Sequence, residues 1–110
     1  MPEGLTAGGL DLLRNAKANG VQYNVVNLMT MDYGGSYCGD MGGYAVQAVN
    51  SVKSQMASIG YSATVGATPM IGINDVACEK FQVSDASQVK SASPGYRAFW
   101  SLGRDNGGCA

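Results

Sequence analysis

The side chains that could do chemistry in this chain are few, and they gather in three places. Asp32 and Tyr33 follow one apolar run, Asn74 and Asp75 a second, and Arg104 and Asp105 a third, which also holds the single tryptophan, Trp100. There is no histidine. Serine and cysteine therefore lack their usual base, and the commonest metal ligand is missing. The three cysteines, Cys38, Cys78 and Cys109, lie about 40 and about 30 residues apart with no C-x-x-C pair, so the usual zinc sets cannot form. An odd count leaves at least one thiol free or paired outside the chain; isolated thiols and one disulfide plus a spare both remain open. Only two glutamates occur, Glu3 before the first helix and Glu79 after the second strand, and neither stands in a run of carboxylates. No metal or cofactor is expected.

The composition narrows the classes further. A chain of 110 residues makes one domain at most, and 45% hydrophobic against 14% charged residues excludes wholesale disorder. Seven basic and eight acidic residues give a net charge of -1, with no basic stripe for nucleic acid. No apolar run approaches the ~18 residues of a membrane helix. The start, Met1-Pro2-Glu3-Gly4-Leu5, lacks the charged-then-apolar layout of a signal peptide, so the chain carries no address of its own.

Local signals then set the elements that must hold these residues. Thr6 caps a helix over 7–19, with Leu10, Leu13 and Ala16 on one stripe and Gly20 as terminator. The run 23–31 reads as a strand, nearly continuous in apolar content and so expected to be covered on both faces. After a glycine-rich loop, Asp40 caps the longest helix, 41–59, where Ala45, Val49, Val52, Met56 and Ile59 recur at spacings of three and four before Gly60. A second strand is expected over 68–73, a weak helix over 85–93 capped by Ser84 or Asp85 and stopped by Pro94-Gly95, and a third strand over 96–102. Helix and strand alternate with short links, which argues for a parallel α/β fold with its polar residues gathered at the carboxyl ends of the strands. Arg104 and Asp105 are expected to form a local ion pair. Three strands cannot close a barrel, and an open sheet this small exposes edges and apolar surface. Something must cover it: a second copy, or the rest of a longer protein.

Three segments carry a family resemblance: Val26-Asn27-Leu28-Met29-Thr30-Met31-Asp32-Tyr33-Gly34, Ala67-Thr68-Pro69-Met70-Ile71-Gly72-Ile73-Asn74-Asp75, and Phe99-Trp100-Ser101-Leu102-Gly103-Arg104-Asp105-Asn106-Gly107. In this order they resemble strands six, seven and eight of the bacterial family-18 glycoside hydrolases, chiefly chitinases, and the resemblance covers nearly the whole chain. It implies a partial, roughly half (β/α)8 barrel in which about three parallel strands alternate with helices, as one domain over 1–110. It implies chitin or N-acetylglucosamine oligomers as ligand and a parent family that is usually secreted. In that family a protonated Glu donates to the glycosidic oxygen while the substrate's own acetamido oxygen attacks the anomeric carbon. That Glu ends a D-x-x-D-x-D-x-E strand which these 110 residues do not contain, so no catalytic residue is assigned.

By matching position, Asp32 hydrogen-bonds the sugar or its acetamido group and Trp100 stacks under the ring. Met31 stands where many members have a Tyr; a thioether cannot donate that bond. Tyr33 offers a hydroxyl one step beyond Asp32. Met29 and Met70 are expected to pack the barrel interior. The expectation is therefore a chitinase-like fragment, inactive alone and self-associating as a homodimer or higher oligomer. Its rivals are a weak chito-oligosaccharide-binding module and a subunit of a split enzyme completed by another chain.

Overall fold

The structure is a computed structural model describing residues 1–92 and 94–107. It is a mixed α/β fold: three parallel strands form one sheet, and helices pack on it. The helices are α1 (Ala7–Ala18), α2 (Met41–Ile59) and α3 (Val83–Ser91); the sheet runs in the order β1 (Val25–Thr30), β2 (Thr64–Pro69), β5 (Tyr96–Arg97). A two-stranded antiparallel ribbon, β3 (Gly72–Ile73) with β4 (Lys80–Phe81), stands apart from it. Register pairs Val25 with Thr64 and Thr30 with Pro69.

The helix starts are built from their own sequence. The Thr6 hydroxyl accepts the Gly9 amide at 3.3 Å, and the Asp40 carboxylate accepts the Gly43 amide at 2.9 Å. Gly60, left-handed at φ 71, ends α2. Asp85 joins two helices, since it accepts the Gln82 amide at 2.6 Å and the Gly42 amide at 3.1 Å. The apolar stripe of α2, with Ala45, Val49 and Val52 fully buried, lies against the face of the sheet that carries Leu28, Val65 and Ala67.

Several expectations need correction. The strand expected over 23–31 is Val25–Thr30, and it is covered on one face only: Leu28 and Thr30 are buried, whereas Val25, Asn27 and Met29 are exposed. Met29 therefore has no packed interior around it in this chain, while Met70 is buried. The strand expected over 68–73 begins four residues earlier and stops at Pro69, because proline cannot continue the ladder and Gly72, at φ 75, turns the chain into β3. The helix expected over 85–93 spans Val83–Ser91 and is capped from Gln82, with Asp85 inside its first turn; the expected end at Ser93 lies outside the described residues. The strand expected over 96–102 is regular only for two residues. It continues as a single parallel bridge, Met70 to Trp100, and then coils into a 3-10 turn at Leu102–Arg104.

The open face of the sheet has its own order. The Asn27 side chain donates to the Thr68 hydroxyl at 2.8 Å across β1 and β2. Tyr96 crosses at Gly66, where a Cβ would lie 2.7 Å from Asn27 Oδ1 and 3.0 Å from Tyr96 Cβ. Only glycine leaves room for both side chains. Trp100, opposite Met70, extends this row to the carboxyl end of the sheet.

Candidate functional site

The candidate site lies where β1, β2 and the 96–100 segment end together. Met31 and Asp32 leave β1 half-buried, with Asp32 at φ 49, a left-handed conformation that Asp tolerates better than most side chains. Asp32 Oδ1 accepts the Val76 amide at 3.0 Å, and no hydrogen bond from a described residue reaches its Oδ2. Trp100 is 52% exposed, with its backbone held by Pro69 O at 2.8 Å and by the Ile71 amide at 2.9 Å. The side chain is thus half exposed while its backbone is fixed.

Tyr33 sits differently from its neighbour. It is buried, its ring meeting Tyr37 at 5.8 Å and Tyr44 at 6.1 Å in edge-to-face contacts. Burial pushes its hydroxyl pKa well up, the Glu79 charge adds to this, and Thr30 offsets a part. Tyr37 meanwhile donates to Glu3 at 2.9 Å, which raises the Tyr37 pKa; the Glu3 pKa is lowered first by a hydrogen bond from its own backbone and then by Tyr37.

Behind Asp32 stands a residue that sequence reasoning left aside. Glu79 is fully buried; its Oε1 accepts the Tyr33 amide at 3.0 Å and its Oε2 the Gly34 amide at 3.4 Å. No sequence signal marks it: only in the structure do Glu79, Lys80 and Phe81 alternate buried, exposed, buried around β4, which puts Glu79 inward with Phe81. Next to it Cys78 forms a disulfide with Cys38, with Cα atoms 5.2 Å apart; Cys109 lies outside the described residues. Asn74 is buried and donates its side chain to Met70 O at 2.9 Å.

Arg104 bonds Asp75 at 3.1 Å and Ile73 O at 3.2 Å, so the local pair expected with Asp105 is replaced by a link to the end of β3 and the loop that follows it. The 3-10 turn brings Arg104 back toward that loop and leaves Asp105 exposed. Asp32, Tyr33, Asn74 and Asp75 thus share one knot of loops, and Trp100 joins it through Met70 and Ile71. Among the described residues no three Cys, Asp or Glu side chains gather as a metal site.

Over 96% of its length the chain is 36% identical, across 124 aligned residues, to the "Probable bifunctional chitinase/lysozyme" of Escherichia coli (strain K12). The same share and identity hold for "Endochitinase 11" of Metarhizium anisopliae. The chain is similar to a segment of two proteins named as chitinases. It spans 14% of the length of the first relative and 24% of the second. No family model and no solved structure matches it. In this chain the chemistry-bearing residues line the carboxyl ends of parallel strands, the side on which α/β folds bind ligands.

Proposed function

We propose that this chain is the part of a family-18 glycoside hydrolase barrel that corresponds to strands six to eight, a half-barrel segment carrying part of the N-acetylglucosamine-binding face. The observation that carries this reading is Trp100, a half-exposed side chain on a fixed backbone at the carboxyl end of the sheet, whose strand neighbours Met70 and Ile71 lead into the loop that holds Asp32, with Asp32 Oδ2 unengaged among the described residues. An aromatic face suits the axial C–H groups of a pyranose, and a carboxylate oxygen accepts from a hydroxyl or an acetamido N–H. Met31 borders the same place, and Tyr33 supports it from behind the loop. The relatives' names supply the substrate class.

The chain alone does not hydrolyse. Its 110 residues lack the carboxylate run that ends in the acid, and Glu79 cannot replace it, since its buried oxygens already accept two amides. General acid catalysis contributes ~10²–10⁴ in rate, and positioning more. The open sheet face favours self-association or completion by another chain carrying the acid strand. The test follows Trp100 fluorescence during titration with chitotetraose to millimolar concentration, alongside a chitotriose-type hydrolysis assay. We expect a saturable change that Asp32→Ala removes, loss of calorimetric binding of chitotetraose in Trp100→Ala, which no longer carries the fluorescent probe, and no turnover. A flat titration of folded protein would leave only scaffold, and enzyme-like turnover would refute the assignment.

A further inference from the structure

The loop after β1 and the loop between β3 and β4 exchange carboxylates. Asp32 of the first loop accepts the Val76 amide of the second at 3.0 Å. Glu79, which closes the second loop, accepts the Tyr33 and Gly34 amides of the first at 3.0 and 3.4 Å. No lysine or arginine pairs with Glu79 among the described residues. A buried carboxylate is costly unless hydrogen-bonded, so these two amides are what makes the position tolerable. The amides belong to the two residues directly after Asp32, whose left-handed backbone persists only where its surroundings over-determine it.

We propose that Glu79 is a positioning residue. It fixes the backbone at Tyr33 and Gly34 and thereby holds Met31 and Asp32 at the angle in which Asp32 Oδ2 faces the sugar. The proposal rests on the reading of Asp32 and Trp100 as sugar-facing. Glu79 itself touches no ligand. The reciprocal bond from Val76 to Asp32 makes the arrangement a two-way clamp, so loosening either carboxylate loosens both loops.

Glu79→Gln is the deciding variant, because it keeps the shape but turns an NH2 group toward one of the two amides. We expect amide exchange at Tyr33, Gly34 and Val76 to quicken about tenfold or more, while the α2 amides keep their protection. We expect the affinity of the folded protein for chitotetraose, read from Trp100, to fall about tenfold or more. A purely structural Glu79 would lower the unfolding midpoint and leave the folded protein's affinity unchanged, which would overturn the proposal. Should Glu79→Gln not fold, Glu79→Asp, with its shorter reach to the same amides, takes its place with the same readouts. A wild-type protein with no saturable titration overturns the sugar-facing reading instead. Exchange rates then judge the clamp by themselves: unchanged rates reject it and faster rates sustain it.

Discussion

At the scale of single residues, Tyr33 gives the clearest physical contrast. Its hydroxyl is buried and, among the described residues, makes no hydrogen bond of good geometry, as is true of the Thr30 hydroxyl, which only partly offsets the effect of that burial. Removing an unpartnered buried hydroxyl removes a desolvation cost, so Tyr33→Phe should leave stability unchanged or raise it by up to about 1 kcal/mol. The pH dependence follows with its sign. The folded Tyr33 pKa lies above the usual 10.0 because burial, then the Glu79 charge, disfavour the phenolate. A raised folded pKa gives stability that is complete below pH 10 and is lost as pH climbs toward the folded value. Tyr37, raised by its bond to Glu3, acts in the same direction. Urea unfolding between about pH 9 and about pH 11 should therefore show a falling midpoint in the wild type and a shallower fall in Tyr33→Phe. A loss of stability well beyond 1 kcal/mol at neutral pH in the variant would mean that the hydroxyl has a partner after all.

At the scale of elements, the Cys38–Cys78 disulfide ties the loop after β1 to the loop between β3 and β4 across a sequence separation of 40. Closing a loop of that length in the unfolded chain corresponds to about 4 kcal/mol. Since small domains hold only ~5–15 kcal/mol in total, reduction should bring this one close to its unfolding threshold. Paired urea titrations with and without dithiothreitol, and of the Cys38→Ser/Cys78→Ser double variant, measure the difference. A loss under ~1 kcal/mol would show that the link hardly restrains the unfolded chain. The elements also separate what the sequence exposes from what it hides. Thr6, Asp40 and Gly60 are legible because a cap is local chemistry: one side chain or one φ angle decides it. Thr64–Pro69 is harder to read, since Gly66 and Pro69 look like breakers until Tyr96 and Asn27 are seen crossing at Gly66. Glu79 and the bond from the Gly42 amide to Asp85 are harder still, because their partners lie about 45 residues and 43 residues away and only the fold brings them near. The Asp32 and Trp100 positions are legible as strand ends, whereas the clamp behind Asp32 is not.

At the scale of the molecule, the decisive fact is that helices cover one face of the sheet and leave the other open. The apolar run of β1 hides this, because composition records that a side chain needs cover and not which neighbour supplies it. Val25, Met29, Tyr96 and Trp100 stand 37%, 58%, 48% and 52% exposed, and β1 is a free edge of the sheet. The chain is correspondingly drawn out, at 46 × 25 × 23 Å with a radius of gyration of 14.4 Å against about 13 Å for a compact domain of this size. An apolar face bordered by an unpaired edge is the ordinary template for association, and two identical faces meet most simply about a two-fold axis. Sedimentation across a concentration series should show a reversible dimer or larger oligomer. Met29→Lys, which puts a charge in the middle of the face without touching the core under Leu28, should shift the equilibrium toward monomer while leaving the urea midpoint of the monomer unchanged. Chitotetraose should compete with association if Trp100 serves both purposes, so the two equilibria are coupled and each weakens the other. A wild-type chain that stays monomeric at high micromolar concentration would mean that this face tolerates water, and the case for a missing partner would lose its physical basis.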